Sequence, residues 1–237
     1  MPGSKPTEME SRHKGTVIES DSPAMRVERI AFSSGRAATT PIAERCLAAG
    51  LLAASVPVLA GATLAVGILS RRSPFVALRR IGLHGKPFWL LKLRTMWDDN
   101  TSSSTPAWVE YLEETEIPLV KTTADPRVTS RFAAFARRFS LDELPQLVHV
   151  IEGKMRLAGP RPLTSLELDA FYGDSAVEIL QVLPGITGLW QVMGRNRLTY
   201  KQRLRLDRFF VRRGGLKLYL WVLLRTPASV LRGQGAC

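Results

Sequence analysis

The run Cys46–Leu69, CLAAGLLAASVPVLAGATLAVGIL, contains 24 residues and no charged side chain. A continuous helix of that length would extend about 36 Å, and the hydrocarbon core of a bilayer is about 30 Å thick. The run begins too late in the chain and is too long to be the apolar core of a cleaved signal peptide. A buried helix of a soluble protein is the alternative, but the length and the lack of charge favour a membrane segment.

Pro57 lies in the middle of this run and predicts a break, because proline lacks an N–H donor and clashes with the carbonyl of Ala53. Each half would then span about 16 Å, roughly one leaflet, and the Ser55 hydroxyl is available to satisfy a freed carbonyl. Arginines flank both ends, so the positive-inside rule prefers neither orientation. From the residues alone a single span is favoured. A helix that dips into one leaflet and returns, with both ends cytoplasmic, competes with it.

The composition changes on either side of the membrane segment. Residues 1 to 40 are polar without apolar periodicity and predict a disordered tail, residues 41 to 72 form the membrane segment, and residues 73 to 237 form one compact domain. The domain is predicted to be α/β and mostly helical. Its expected elements are a hairpin at 73–96, a polar loop with a short helix at 98–118, helical periodicity at 128–153, an acidic helix at about 165–182, a basic amphipathic helix at about 199–213 and an apolar helix at 216–231.

The net charge of +12 favours a polyanionic partner: nucleic acid, an anionic membrane surface or a phosphorylated substrate. The basic helix at 199–213 stands beside a membrane segment in the same chain, which favours anionic lipid over nucleic acid. The two cysteines, Cys46 and Cys237, indicate a reducing compartment rather than a disulfide framework. His84 and His149 lack partners at metal-ligand spacing and are predicted to be structural.

An acidic pair, Asp142 and Glu143, lies in the stretch RRFSLDELPQLVHVIEG. Ser140, three residues before Glu143, predicts a capping box that opens an amphipathic helix, although Pro145 fits better if Asp142 is the N-cap. Adjacent helical residues point about 100° apart, so these carboxylates cannot share a proton. One is free to attack a substrate while the other holds a divalent cation such as Mg²⁺ beside phosphate oxygens.

Four ordered motifs resemble those of the bacterial sugar transferase family, the small monotopic polyprenyl-phosphate phosphoglycosyl transferases. They are RIGLHGKPFWLLKLRTM, RRFSLDELPQL, GPRPL and PGITGLWQVMGRN, and with the proline-centred run the resemblance covers roughly residues 41 to 235. It implies a re-entrant membrane helix broken at Ser55 and Pro57, with both ends cytoplasmic. This helix would join a small catalytic domain whose amphipathic helices lie on the cytoplasmic face of the bacterial inner membrane.

The resemblance also implies a reaction. A sugar 1-phosphate would pass from a UDP-sugar to polyprenyl (undecaprenyl) phosphate, with Mg²⁺, releasing UMP and initiating a lipid-linked glycan for exopolysaccharide, O-antigen or glycoprotein. Asp142 matches the family nucleophile that forms a phosphosugar intermediate, and Glu143 matches the metal-binding acid. Basic residues that match the family motifs are expected to bind substrate phosphate: Lys92, Arg94, Arg138, Arg161 and Arg195. Downstream glycosyltransferases are candidate partners, and nucleic acid is not expected.

The chain departs from the family pattern at several positions. Where the family usually reads LWNVLKGDMSLVGPRP, this chain reads LVHVIEGKMRLAGPRP, with Lys154 in place of an acid and Arg156 in place of a serine. Tyr219 stands where the family usually keeps an aspartate, and Ser55 and Pro57 are not adjacent. These changes motivate an alternative, a catalytically weakened or inactive relative that serves as a membrane-bound scaffold. A single-span protein that binds nucleic acid is a further alternative, against which the ordered motifs argue.

Overall fold

The computed structural model describes residues 39–96, 108–113 and 130–232 of the 237-residue chain. The predicted tail, residues 1 to 40, lies outside the described residues except for its last two, and most of the predicted polar loop at 98–118 lies outside them as well. Thr40 is buried, and its hydroxyl donates to the carbonyl of Met155 at 2.8 Å. Contact with the domain therefore begins ahead of the apolar run.

The predicted hairpin is confirmed as two antiparallel strands, β1 (Phe75–Ile81) and β2 (Pro87–Leu93), joined by a 3-10 turn at Leu83–Gly85. A third strand, β3 (Val109–Leu112), pairs in parallel with the other edge of β1, where the sequence predicts a loop with a short helix. Four residues are too few to show an alternating pattern on their own. Pairing with β1 therefore decides their conformation.

Most of the remaining described chain is helical, so the coarse prediction of a mostly helical fold with a small sheet is confirmed. The helices are α1 (Ile42–Ser70), α2 (Arg131–Arg138), α3 (Leu147–Ile151), α4 (Ser165–Glu167), α5 (Ala176–Ile179), α6 (Leu189–Met193), α7 (Tyr200–Arg213) and α8 (Leu216–Arg232). The last two match the helices predicted at 199–213 and 216–231. A capping box between Thr199 and Gln202 opens α7.

The acidic helix predicted at 165–182 is interrupted. Between α4 and α5 the chain forms a π-helical turn, Leu168–Tyr172, and a 3-10 turn, Gly173–Ser175. Gly173 has a φ of +49°, outside the right-handed helical region, so one regular helix cannot continue through it.

A second, two-stranded parallel sheet brings two of the motifs together. It consists of β4 (Arg156–Ala158) and β5 (Gly185–Thr187). A side chain on Gly185 would collide with the backbone nitrogen of Gly159, and a Cβ on Gly159 would lie 2.9 Å from the nitrogen of Gly185. These two glycines therefore allow the GPRP and PGIT segments to pack backbone against backbone.

The apolar helix α1 packs against the domain near both of its ends. Its buried residues are Glu44 and Ala48 near the start and Ala62 and Val66 near the end. Ala48 packs in an apolar cluster beneath α3, and Ala62 and Val66 pack against Leu93. Other positions of α1 expose large apolar side chains: Leu47, Leu51, Val58, Leu64 and Ile68. Among the described residues, α1 alone is long and apolar enough to cross a membrane.

Pro57 lies inside α1, which continues as one element on both sides of it. The Ser55 hydroxyl donates to the carbonyl of Leu52 at 2.8 Å. That carbonyl is one residue before the carbonyl of Ala53, which proline leaves without its usual donor. The break at Ser55 and Pro57 thus stays a prediction.

Candidate active site

The acidic pair lies in a 3-10 segment, Leu141–Gln146, that leads directly into α3. The predicted capping box is wrong, because Ser140 adopts a left-handed backbone with a φ of +54° and its carbonyl, not its hydroxyl, accepts the Glu143 N–H at 3.1 Å. The Ser140 hydroxyl instead accepts a hydrogen bond from Nη2 of Arg195 at 3.2 Å. The alternative N-cap at Asp142 is wrong too, since the helical segment already begins at Leu141.

Two cations from other parts of the fold meet the acidic pair. Lys92, near the end of β2, places its Nζ 3.5 Å from Oδ2 of Asp142 and 3.4 Å from Oε1 of Glu143. Arg161, in the GPRP motif after β4, places its Nη1 3.3 Å from the same Glu143 oxygen. All four side chains are largely shielded from water, so charges within the cluster interact more strongly than they would on an open surface.

These cations stabilise the ionised form of Glu143. Burial by itself would raise the pKa of Glu143, but Lys92 and Arg161 outweigh burial and hold that pKa below its ordinary value. Glu143 is therefore ionised at neutral pH. A carboxylate held in this state is available to a metal ion or to a hydrogen-bond donor.

His149 on α3 supports the strand that carries Lys92. Its Nε2 accepts the backbone N–H of Leu91 at 3.0 Å, and its Nδ1 lies 3.2 Å from Oε2 of Glu152. Burial lowers the pKa of His149, although Glu152 opposes the shift, and the neutral ring leaves Nε2 free to accept. The predicted structural role of His149 is thus confirmed, and the structure places this residue next to the site.

The other basic residues predicted to bind phosphate lie in different surroundings. Arg195 reaches the start of the acidic segment through Ser140. Arg138 is exposed at the end of α2, with its guanidinium 5.7 Å from the centre of the Phe139 ring, and in the described chain it forms no ion pair with either acid. Arg94 is buried against the carbonyl of Ser73 and the carboxylate of Glu110. Of the five, only Lys92 and Arg161 touch the acidic pair directly, and the phosphate-binding roles remain predictions.

Lys154 does not join the site. Its side chain is 54% exposed, and its Nζ lies 2.9 Å from Oε2 of Glu152. The family pattern has KGD where this chain has EGK, so the charges at positions 152 and 154 are exchanged, and in this chain the two residues form an ion pair. The added positive charge of Lys154 is therefore neutralised on the surface.

The two carboxylates fit a Mg²⁺ ion that also binds substrate. Mg²⁺ usually takes one or two carboxylates and completes its shell with water and phosphate oxygens. Glu143, with Asp142 beside it, supplies such oxygens. Among the described residues, no group of three or more His, Cys, Asp or Glu side chains is placed to hold a metal by itself. Water and other oxygen ligands would have to complete the site.

Comparison with known proteins shows which family the chain belongs to. The chain matches the bacterial sugar transferase family over residues 36–233. It is 39% identical over 171 residues to the exopolysaccharide production protein ExoY of Sinorhizobium fredii, a match that covers 69% of this chain and 73% of that protein.

Two longer proteins also match. The undecaprenyl-phosphate galactose phosphotransferase of Salmonella typhimurium is 40% identical over 164 residues, which cover 67% of this chain and 33% of that protein. The UDP-glucose:undecaprenyl-phosphate glucose-1-phosphate transferase of Xanthomonas campestris pv. campestris is 35% identical over 180 residues, or 71% of this chain and 34% of that protein. This chain spans about a third of both longer proteins. The family match extends over α1, the acidic pair and both glycine-containing motifs, and the chain is thus a transferase that belongs to the bacterial sugar transferase family.

Proposed function

We propose that this protein transfers a sugar 1-phosphate from a UDP-sugar to a polyprenyl phosphate such as undecaprenyl phosphate, and so initiates a lipid-linked glycan. The observation that carries the proposal is the convergence of Asp142 and Glu143 with Lys92 and Arg161 beside an apolar helix. The names of the two longer relatives support the class of acceptor. Exopolysaccharide, O-antigen or glycoprotein glycans are the expected products of later glycosyltransferases.

In the first step, a carboxylate oxygen of Asp142 attacks the phosphorus that carries the sugar. A new bond forms between that oxygen and phosphorus, and the bond from this phosphorus to the bridging oxygen breaks. UMP leaves with the bonding electron pair, and the sugar phosphate stays on Asp142 as an acyl phosphate. In the second step, a phosphate oxygen of the polyprenyl phosphate attacks the same phosphorus and releases the Asp142 carboxylate. Two displacements at phosphorus, each with a good leaving group, thus replace a single, more difficult displacement.

The cations around the acidic pair suit this chemistry because the diphosphate gains negative charge as UMP departs. Lys92 and Arg161 are fixed close to Glu143 before any substrate binds, so little reorganisation is needed. Arg195, which anchors the start of the acidic segment through Ser140, is a further candidate phosphate ligand. Bound Mg²⁺ would supply a Lewis acid that neutralises charge on the diphosphate oxygens.

The packing of α1 favours a re-entrant path over a single span. Glu44 and Val66 are separated by about 33 Å along a helix, and both pack against the same domain. A helix that crossed the bilayer would carry one end about 30 Å away from a domain on the other side. We therefore propose that both ends lie at the cytoplasmic face of the inner membrane and that the apolar outer face of α1 contacts lipid.

The basic helix α7 and the apolar helix α8 fit the same placement. Exposed apolar side chains on α8 include Leu216, Leu220 and Leu224, while α7 carries most of the nearby arginines. A basic helix beside an apolar one suits the interface of a bilayer that contains anionic lipid. This pattern supports lipid rather than nucleic acid as the polyanionic partner.

UMP release tests the proposal. Purified protein in nanodiscs is given undecaprenyl phosphate, Mg²⁺ and a panel of UDP-sugars. We expect UMP from at least one donor and a loss of roughly 10³-fold in Asp142→Asn. The matched control, Asp174→Asn, changes an exposed aspartate and should retain the wild-type rate. Absence of UMP with every donor would refute the proposed activity and favour the scaffold alternative.

A further inference from the structure

Two of the departures from the family pattern meet at one carboxylate. Arg156 on β4 donates from Nε and Nη2 to Oε2 of Glu44, at 3.0 and 2.8 Å. Tyr219 on α8 donates its hydroxyl to Oε1 of the same residue at 2.5 Å. The guanidinium of Arg156 also lies 4.4 Å from the centre of the Tyr219 ring. The two residues that replace a serine and an aspartate thus form a common site around Glu44.

Glu44 lies in the first turn of α1 and is only 8% exposed. A buried carboxylate is costly unless hydrogen bonds and an opposite charge compensate it. Both oxygens of Glu44 are satisfied, Oε2 by Arg156 and Oε1 by Tyr219 and by the backbone N–H of Leu157 at 2.6 Å. Each donor comes from the domain, so the arrangement ties the first turn of α1 to both β4 and α8.

The Leu157 amide connects the contacts around Glu44 to the segment that leads to the acidic pair. The nearby amide of Arg156 donates to the carbonyl of Pro184, just before β5, and the amide of Gly159 donates to the carbonyl of Thr187, at the end of β5. The Leu157 amide points to Glu44 instead. Four residues later, Arg161 contacts Glu143. The first turn of α1 is therefore bonded to strand β4, and the chain that leaves β4 carries Arg161 to Glu143.

We propose that Glu44, Arg156 and Tyr219 form a clasp that positions the membrane helix relative to Arg161 for transfer of the sugar phosphate to the lipid acceptor. The clasp residues are positioning residues, since they act through α1 and β4. The acceptor step depends on them because the polyprenyl phosphate reaches the site from the bilayer that α1 enters. The UDP-sugar is soluble and does not reach the site from the bilayer, so the donor step does not depend on the clasp. This inference rests on the proposed function for its kinetic part and on geometry alone for the clasp itself.

Tyr219→Phe and Glu44→Gln test the clasp. Tyr219→Phe removes a single oxygen and keeps the ring beneath Arg156, so it is the variant least prone to misfolding. Glu44→Gln removes the negative charge and replaces one accepting oxygen with an NH2 group. This group would face hydrogen-bond donors instead of acceptors. Glu178→Gln is the matched control, because Glu178 also accepts from two arginines, Arg208 and Arg212, on a surface away from α1.

The first readout is residue-resolved hydrogen exchange of the full protein in nanodiscs. We expect the Leu157 amide to exchange at least about 10-fold faster in both clasp variants, while the Arg156 and Gly159 amides keep their rates. Glu178→Gln should leave all three amides unchanged. An unchanged Leu157 amide in both clasp variants would overturn the clasp, and this result does not depend on whether the protein is an active transferase.

The second readout separates the two half-reactions. We expect KM for undecaprenyl phosphate to rise about 5-fold or more in the clasp variants, and UMP release in a first turnover without acceptor to change by less than about 2-fold. An equal fall in both half-reactions, or altered exchange with unaltered kinetics, would overturn the positioning role. Absence of UMP from the wild type would instead refute the proposed function, and the exchange result would still decide the clasp.

Discussion

Lys92 contacts both members of the acidic pair, and this double contact defines the site at the scale of single residues. The resemblance of the ordered motifs to the family predicts Asp142, Glu143, Lys92 and Arg161 as site residues, and the structure brings these four side chains together. The partners of these residues are not predictable in the same way, since they depend on how β2, β4 and the acidic segment pack. Glu44 shows the limit: a lone acid ahead of an apolar run gives no sign of the domain residues that satisfy it.

Replacement of Lys92 should both slow the reaction and shift its pH dependence. Lys92→Met removes one of the two cations that lower the pKa of Glu143, so this pKa should rise and the acidic limb of the pH–rate profile should move to higher pH. We expect a loss of about 10- to 100-fold in kcat/KM, measured as UMP release. Lys86→Met, at an exposed position in the hairpin, is the control and should behave as wild type. An unshifted profile in Lys92→Met would contradict this account of Glu143.

Asp207 should make stability depend on pH. It is 1% exposed, and burial raises its pKa to about 7, although a hydrogen bond from the Tyr172 hydroxyl at 3.0 Å opposes the shift. Between pH 4 and pH 7 the folded state keeps a proton that the unfolded state loses, so this group's contribution falls as pH rises through that window, by at most about 4 kcal/mol. Asp207→Asn should flatten the fall in Tm between pH 5 and pH 8, measured by thermal unfolding. A wild-type slope in the variant would show that Asp207 does not titrate there.

At the scale of elements, local signals predicted some parts well and others poorly. α7 and α8 were predictable because the signals lie within the segments themselves: basic amphipathic periodicity in α7 and an apolar run in α8. The start of the acidic segment was not predictable in this way. Ser140 has a left-handed backbone, and its hydroxyl accepts a hydrogen bond from Arg195, which is distant in sequence. β3 was missed for a similar reason, since pairing with β1 forms it.

The close approach of β4 and β5 predicts a sharp sensitivity at Gly185. Gly185→Ala would force its new methyl group into the Gly159 backbone, so we expect a loss of about 1–3 kcal/mol in the free energy of unfolding and weaker activity through displacement of Arg161. Gly215→Ala is the matched control, because a Cβ there meets no atom within 4 Å. Chemical denaturation of both variants measures the difference. Equal stability of the two would refute tight packing between β4 and β5.

At the scale of the whole molecule, the apolar run predicted a membrane segment but left its path open between a span and a re-entrant helix. The sequence pattern could not resolve this, because the basic residues on the two flanks balance. Packing supports the proposed re-entrant path, since both ends of α1 contact one domain. The departures at Arg156 and Tyr219 also acquire a meaning only here, where distant segments meet at Glu44.

Cysteine labelling in intact cells tests the membrane topology. In a background with both native cysteines replaced by serine, Pro41→Cys and Arg71→Cys place one thiol at each exposed end of α1. An impermeant maleimide should modify neither until the inner membrane is permeabilised, and Lys86→Cys serves as the reference for the domain. Modification of one end alone in cells with an intact inner membrane would establish a single span and refute the re-entrant path.

Intact-protein mass spectrometry tests whether Asp142 carries the sugar phosphate between donor and lipid, as proposed. The protein is mixed with Mg²⁺ and the active UDP-sugar, without any acceptor. We expect a mass increase of one covalently bound sugar phosphate on the wild type, its disappearance when undecaprenyl phosphate is added, and no increase in Asp142→Asn. An adduct that persists in Asp142→Asn, or a wild type that transfers sugar phosphate to lipid without ever gaining mass, would contradict this proposal.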